Sequence, residues 1–241
     1  MKVKRFAIFL LALAACSSQQ ATENGEGKLQ GLKKYYYPDG KLYLEVNYKD
    51  SIPHGAMKVY YKTGQVQNES VYITGVRHGS EKTYYESGKL SSITPYDSGR
   101  IHGVKKKFRR DGITAYEAPY YYDKPCAGLK EFFLSGQPVD NYPTVVVRHK
   151  DELLREGKYT VLLSLSDNSG SVQFYRGKLS PEKYIGDNVV PLHVDNGVGH
   201  IYYFLDRGGF AMETVDVIAK IKTDLGNWYI TTLTFNVAIE N

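Results

Sequence analysis

Short apolar segments separated by glycine-containing turns make up the chain after residue 28, and this pattern predicts β-strands rather than helices. Over residues 31–136 the pattern repeats every 24 residues, which is typical of a repeat array. One glycine closes the turn of each copy, at Gly40, Gly64, Gly88, Gly112 and Gly136. Because glycine accepts the positive φ of a tight turn, each copy is predicted to fold as one β-hairpin.

A His-Gly pair precedes three of the copies. It stands at His54-Gly55, His78-Gly79 and His102-Gly103. We expect a loop of about six residues that ends in this pair and joins one hairpin to the next. Stacked hairpins hold successive histidines about 10 Å apart, too far to share one ion, so we predict turn residues and no metal site.

Aromatic residues recur with the same period in two sets. A tyrosine follows each of the first four turn glycines, at Tyr48, Tyr72, Tyr96 and Tyr120. The other set precedes the turns, at Tyr36, Tyr60, Tyr84, Phe108 and Phe132. Residues one period apart form ladders, and we expect the two sets to pack a thin sheet from different faces. A stacking platform for sugars or lipid is the alternative, so the tyrosines of both sets form a candidate binding surface.

The pattern of two aromatics, a turn glycine, a downstream tyrosine and a closing His-Gly resembles the MORN-repeat variant found in many bacterial proteins. The resemblance covers residues 31–138 and implies an elongated, twisted sheet of about four and a half stacked hairpins within a domain of residues 28–140. The fourth copy departs from the pattern at Arg109 and Arg110, which we add to the candidate surface. The fifth copy is one residue short, and we expect it to cap the array.

The period stops at residue 141, and residues 141–241 are predicted to form a second β-domain. Strand-like runs lie at 144–149, 158–166, 171–179, 189–194, 200–205, 214–222 and 228–239. A run at 151–155 is the one helix-like segment. Short strands with turns between them favour an antiparallel sandwich of immunoglobulin-like kind, while lipocalin-like and jelly-roll arrangements remain open. The predicted fold class is therefore all-β throughout.

The first 15 residues are typical of a signal peptide. Basic residues precede an apolar run at 6–13 that is too short to cross a bilayer as a permanent helix. Leu-Ala-Ala-Cys at 13–16 resembles a bacterial lipobox, and this resemblance implies that Cys16 becomes an N-terminus that carries lipid such as palmitate. A plain secretory peptide is the alternative.

Residues 16–27 are polar and small, and we expect a flexible tether between the lipid and the fold. Ser17 follows the cysteine, which by the lipobox resemblance implies the outer membrane. The predicted location is thus the cell envelope.

Composition adds a charge asymmetry to this picture. Tyrosine is abundant, with 22 Tyr against 9 Phe and 1 Trp, which suits half-exposed sheet surfaces. Residues 28–138 hold 18 basic and 11 acidic side chains (+7), whereas residues 139–241 hold 10 and 13 (−3). A basic array favours anionic partners, and an ordinary solvated face is the alternative. Nucleic acid is not expected to bind an exported protein.

The sequence lacks a recognisable catalytic constellation, so we predict no enzymatic activity and no cofactor. His193, Asp195 and His200 are close in sequence but are typical of polar hairpin residues. Cys126 is expected to be a single buried thiol.

Together these features favour an envelope lipoprotein that is anchored by its lipid and binds an envelope protein through the repeat sheet and the β-domain. A surface for glycan or anionic lipid is one alternative. The family resemblance implies another, because bacterial proteins with this repeat variant are often labelled antitoxin-like. That alternative is an immunity lipoprotein.

Overall fold

The chain is described by a computed structural model over residues 22–23 and 27–241, and it is built almost entirely of antiparallel β-strands. The predicted signal peptide, Cys16 and most of the predicted tether lie outside the described residues. Two tether residues, Thr22 and Glu23, pair with Gln30 and Leu29. No helix within the described ranges is long and apolar enough to cross a membrane. The predicted all-β fold class is confirmed.

The first twelve strands form one antiparallel sheet. They are β1 Thr22–Glu23, β2 Leu29–Tyr36, β3 Leu42–Lys49, β4 Ile52–Tyr60, β5 Val66–Ile73, β6 Val76–Tyr84, β7 Leu90–Asp97, β8 Arg100–Ile101, β9 Gly103–Phe108, β10 Thr114–Tyr121, β11 Lys124–Pro125 and β12 Lys130–Glu131. The main path across the sheet follows the chain order, while β8 adds to β7 and β12 adds to β10. The predicted stack of hairpins is therefore confirmed. The fifth copy contributes only the short strand β12.

Glycine-closed turns line one edge of this sheet. In the first copy the Gly40 N–H donates to the Tyr37 carbonyl at 2.9 Å, and Gly40 has a φ of +83°. The four equivalent glycines also have positive φ. Because a residue with a Cβ is strained there, the period of the turn glycines follows from backbone geometry.

Two-residue turns line the other edge, so the predicted six-residue loop is wrong. Lys49 pairs with Ile52, and between them Asp50 and Ser51 both have positive φ, as a type I′ hairpin requires. The equivalent turn residues are Thr74-Gly75, Ser98-Gly99 and Tyr122-Asp123. His54 lies in β4, next to a register shift in the pairing of β3 with β4. The loop is short because the residues before each His-Gly pair already belong to a strand.

The remaining eight strands form two four-stranded antiparallel sheets. They are β13 Val145–Glu152, β14 Lys158–Leu165, β15 Val172–Arg176, β16 Val190–Pro191, β17 His193–Asp195, β18 Val198–Phe204, β19 Phe210–Lys222 and β20 Trp228–Glu240. One helical turn, α1 Leu153–Glu156, follows β13. The sheet orders are β13-β14-β18-β17 and β16-β15-β19-β20. Lettered A, B, C, C′, D, E, F and G in chain order, they read A-B-E-D and C′-C-F-G, which is the immunoglobulin arrangement.

The predicted strand at 189–194 is wrong as one continuous strand. Its first half is β16, which pairs with β15, and its second half is β17, which pairs with β18. Leu192 lies between them and donates its N–H to the Phe174 carbonyl at 2.9 Å. The chain passes from one sheet to the other at this residue, and a single strand cannot pair with both sheets. The other six predicted strands are present with shifted ends.

The sandwich core lies between the inward faces of its two sheets. Leu163, Phe174 and Val217 are at most 1% exposed. A Cβ on Gly199 would lie 2.8 Å from Cδ2 of Phe174, so this glycine makes room for the ring. Complete burial of side chains of this size stabilises the fold by about 1.5–3 kcal/mol each. The repeat sheet is a single layer with few fully buried side chains.

Candidate binding face of the repeat sheet

One face of the repeat sheet carries a row of alternating lysine and glutamate residues. Backbone register places the members opposite one another on nine strands, in the order Lys34, Glu45, Lys58, Glu69, Lys82, Ile93, Lys106, Glu117 and Lys130. Residues paired across antiparallel strands point to the same face, which we call the lysine–glutamate face. Five lysines and three glutamates give the row a formal charge of +2.

Each glutamate in the row forms an ion pair with the lysine before it. The Nζ–Oε1 distances are 3.0 Å for Lys34–Glu45, 3.0 Å for Lys58–Glu69 and 2.7 Å for Lys106–Glu117. Two tyrosines of the candidate surface add hydrogen bonds. Tyr60 donates its hydroxyl to Glu45 at 2.7 Å, and Tyr84 donates to Glu69 at 2.8 Å. Both glutamates are therefore held from two neighbouring strands.

The ionisation of these groups reflects the contacts. The Tyr60 hydrogen bond, together with the Lys34 ammonium, lowers the pKa of Glu45. Burial and the bond to Glu45 raise the pKa of Tyr60 to about 12. Glu69 and Tyr84 behave in the same way, with the pKa of Glu69 lowered and that of Tyr84 raised to about 12. At neutral pH the face thus presents fixed carboxylates and neutral hydroxyls.

Both halves of this contact are missing where the third copy meets the fourth. Ile93 replaces the glutamate, and Phe108 stands at the position equivalent to Tyr60 and Tyr84. The two changes are consistent with each other because a buried hydroxyl without an acceptor is costly. As a result Lys82 and Lys106 flank an apolar residue rather than a carboxylate.

Exposed aliphatic side chains of strands β2 to β9 all lie on the lysine–glutamate face. They are Leu32, Ile52, Val71, Ile73, Val76 and Val104, each 41–48% exposed. Their side follows from strand alternation, since Leu32 is two residues from Lys34 and Val71 is two residues from Glu69. Exposed apolar side chains that gather on one face indicate a contact surface.

The second tyrosine row lies on the opposite face, as predicted. Register places Tyr48, Tyr72, Tyr96 and Tyr120 opposite glycines of the neighbouring strand. Tyr48 shares a 3.3 Å hydroxyl–hydroxyl contact with Tyr35, and the Arg77 guanidinium lies 4.6 Å from the Tyr96 ring centroid. Small buried residues recur on the same face, at Val46, Ser70, Thr94 and Ala118. This face is therefore largely committed to packing within the sheet.

Arg109 takes over a structural contact of the repeat. In the first three copies the equivalent tyrosine donates its hydroxyl to a carbonyl 23 residues later, in the pairs Tyr37–Tyr60, Tyr61–Tyr84 and Tyr85–Phe108. Arg109 donates to the Phe132 carbonyl at 2.5 Å and so completes the series. Sequence reasoning missed this tyrosine row, although its 24-residue period was visible. Arg110 is exposed, with its guanidinium 5.9 Å from the Tyr85 ring centroid.

The lysine–glutamate face ends in a cleft where the array meets the sandwich. The cleft has a volume of about 390 Å³. Its lining residues are Gly103, Val104, Glu117, Pro119, Tyr120, Tyr121, Cys126, Ala127, Gly128 and Lys130 from the array, and Glu182 and Lys183 from the sandwich. It therefore continues both the apolar and the charged character of the face.

Direct contacts hold the last array hairpin against the sandwich. Glu131 is 5% exposed and accepts hydrogen bonds of 2.7 Å from both Thr223 Oγ1 and Asn227 Nδ2. The rings of Tyr142 and Tyr229 stack with their centroids 4.2 Å apart. These contacts join β12 and the segment after it to the hairpin of β19 and β20.

Cys126 is buried in the same region, as predicted, and burial raises the pKa of its thiol. Its N–H donates to the Pro119 carbonyl at 2.9 Å, and the next residue, Ala127, donates to the Lys183 carbonyl at 2.8 Å. The segment that departs from the repeat period thus forms part of the contact between the two domains.

The histidines are distributed along the sheet rather than gathered. His54 Nδ1 accepts the Thr74 N–H at 3.3 Å, and the His102 ring lies 4.5 Å from that of Tyr122. In the sandwich, His193 pairs across the β17–β18 hairpin with His200, with ring centroids 5.9 Å apart. Over residues 22–23 and 27–241, no group of three or more His, Cys, Asp or Glu side chains could hold a metal ion.

Comparison with known proteins agrees with this architecture. No curated protein matches the chain. The family model described as the MORN repeat variant matches residues 29–50, 53–73 and 77–98, and each match spans one hairpin. MORN repeats are generally protein- or lipid-binding modules. The first three hairpins of the repeat sheet are therefore similar to MORN repeats of this variant.

Proposed function

We propose that this chain is a non-enzymatic binding protein of the bacterial envelope and that it recruits a protein partner through the lysine–glutamate face. The observation that carries the proposal is the placement of the exposed aliphatic side chains beside the ion-pair row on one face. Apolar contacts supply affinity, and charges of both signs select a partner with the complementary pattern.

The alternation of charge favours a protein over an anionic membrane. A lipid headgroup surface attracts an excess of positive charge, whereas Glu45 and Glu69 neutralise their lysine neighbours and would themselves be repelled. A protein surface offers both signs and can match each pair. Anionic lipid is a second candidate, favoured by the short stretch where Lys82 and Lys106 flank Ile93.

The envelope location rests on the N-terminal sequence. The signal-peptide pattern and the lipobox resemblance at Cys16 motivate a lipid anchor. Two or more acyl chains anchor a protein stably. A Cys16→Ser chain should move from the membrane fraction to the soluble fraction of the envelope. Unchanged fractionation would contradict the anchor without affecting the proposed binding face.

Site-specific photocrosslinking tests the binding face. A photoreactive amino acid at Val71 or Val104 should give a discrete protein adduct in intact cells. The matched control is Leu154, an exposed aliphatic residue of α1, which belongs to the sandwich and not to the repeat sheet. Adducts of equal yield at Leu154, or none at either array position, would count against a partner on this face. Adducts with lipid instead of protein would favour the second candidate.

A further inference from the structure

Strand β20 forms a long sheet edge without the features that usually protect one. It is the edge strand of the second sandwich sheet, next to β19. In the part of the chain that the structure describes, no strand pairs with its other edge. Its 13 residues contain no proline and a single charged side chain, Glu240. Long edges of this kind pair readily with another strand, and natural proteins usually block them with charge, proline or a bulge.

The other sandwich edges do carry such protection. Strand β13 has four charged side chains among its eight residues, at Arg148, Lys150, Asp151 and Glu152. Strands β16 and β17 are only two and three residues long. β20 is therefore the edge on which an added strand meets the least opposition.

We propose that β20 pairs antiparallel with β20 of a second copy of this chain, about a two-fold axis at Thr234. The pairing joins two C′-C-F-G sheets into one continuous sheet. On the outer face Trp228 lies opposite Glu240, and Thr234 lies opposite itself. On the inner face Leu233 lies opposite Phe235, so apolar side chains meet apolar side chains.

Charge complementarity favours a second copy as the occupant. Within one copy Lys220 Nζ lies 4.1 Å from the Trp228 ring centroid, and Lys222 Nζ lies 5.7 Å from it. The proposed register brings Glu240 of the other copy beside this pair of lysines. Symmetry provides the contact twice in each dimer, and no like charges face each other along the strand.

Two exposed apolar side chains lie one strand inside this edge. Phe210 pairs with Glu240 and is 75% exposed, and Met212 pairs with Ala238 and is 77% exposed. In the proposed dimer, Trp228 of the second copy lies opposite Glu240. Phe210, Glu240 and that Trp228 then form one row across three neighbouring strands. The small side chain of Ala238 leaves Met212 room to reach the added strand. The pairing thereby covers apolar surface that a monomer exposes.

Disulfide crosslinking of the full chain tests the register. Oxidised Thr234→Cys should form a covalent dimer, and peptide mapping should place the bond at position 234, because opposing Cα atoms in an antiparallel pair are close enough for a disulfide. Asn236→Cys should not crosslink, because its symmetry mate is offset by about 13 Å along the strand. The second control is Thr214→Cys, which lies on the same outer face but in β19, the strand next to β20. A dimer at Asn236→Cys instead, or no dimer at position 234, would overturn the proposal.

A charge variant gives an independent measurement. Sedimentation of the full chain in detergent should show a reversible dimer. Thr234→Lys places two ammonium groups face to face and should weaken the dimer by about tenfold or more, whereas Thr214→Lys should leave it unchanged. Circular dichroism shows whether both variants keep the fold. The proposed self-pairing would be rejected if the wild-type chain stayed monomeric. It would also be rejected if β20 paired with a strand of another protein instead of a second copy.

Discussion

The hydroxyl of Tyr60 donates a 2.7 Å hydrogen bond to Oε2 of Glu45 and joins two neighbouring hairpins of the repeat sheet. Lys34 contacts the other oxygen of the same carboxylate from the opposite side. The Tyr84–Glu69 contact repeats this arrangement one copy later. The glutamates of the proposed binding face are therefore fixed by the scaffold, so a partner meets carboxylates that are already oriented.

Removing the Tyr60 hydroxyl should weaken the repeat sheet. Tyr60→Phe leaves Glu45 with one fewer donor, and we expect the free energy of unfolding to fall by about 1–2 kcal/mol and the pKa of Glu45 to rise. Urea unfolding and carboxyl titration by NMR measure the two effects. The matched control is Phe108→Tyr, which should gain no stability because Ile93 offers no acceptor. An equal and opposite gain from Phe108→Tyr would contradict the assigned role of the carboxylate.

Acid should destabilise the array through Glu45 and Glu69. Both have a pKa below the ordinary value of 4.5, so their contribution to stability is complete above the unfolded pKa and is lost as pH falls through the lower folded pKa. Unfolding free energies measured between about pH 7 and pH 3 should stay level for these two groups down to the ordinary pKa of 4.5 and decline below it. The Glu45→Gln, Glu69→Gln double variant should be less stable at neutral pH and show a shallower decline. A decline of unchanged steepness would assign the acid sensitivity to other groups.

Arg109 should be replaceable by the tyrosine of the other copies. Arg109→Ala removes its hydrogen bonds to the carbonyls of Phe132 and Thr114 and should cost about 2 kcal/mol of unfolding free energy. Arg109→Tyr restores the residue found in the first three copies and should recover most of that loss. Chemical denaturation compares the two variants. If both lose the same stability, Arg109 does not occupy the place of the repeat tyrosine.

Glu131 should control the attachment of the array to the sandwich. Glu131→Ala leaves Thr223 and Asn227 without their shared acceptor, and we expect the junction to lose about 2–4 kcal/mol. Hydrogen exchange should increase at 223–227 while the sandwich core stays protected. Glu117→Ala, which removes a partly exposed ion pair with Lys106, should cost no more than about 1 kcal/mol and leave the junction unchanged. Equal exchange in the two variants would show that Glu131 does not hold the domains together.

Local chemistry in the sequence was enough to predict the hairpins. Gly40 and its four equivalents mark turns because their positive φ favours glycine, and this preference is visible in the chain itself. Apolar alternation likewise located β19 and β20. The Asp50-Ser51 turn was missed because neither residue is glycine, although Thr74-Gly75 and Ser98-Gly99 stand at the equivalent places.

The sequence by itself determined a 24-residue hairpin period and a β-rich C-terminal domain, because turn residues and strand alternation act over a few neighbouring positions. Only the tertiary structure decided which side chains share a face. Lys34, Glu45 and Lys58 become neighbours through strand register. The chain passes from one sandwich sheet to the other at Leu192 because β16 pairs with β15 and β17 pairs with β18. Contacts such as Glu131–Asn227 join residues 96 positions apart, and only the packing of the two domains brings such residues together.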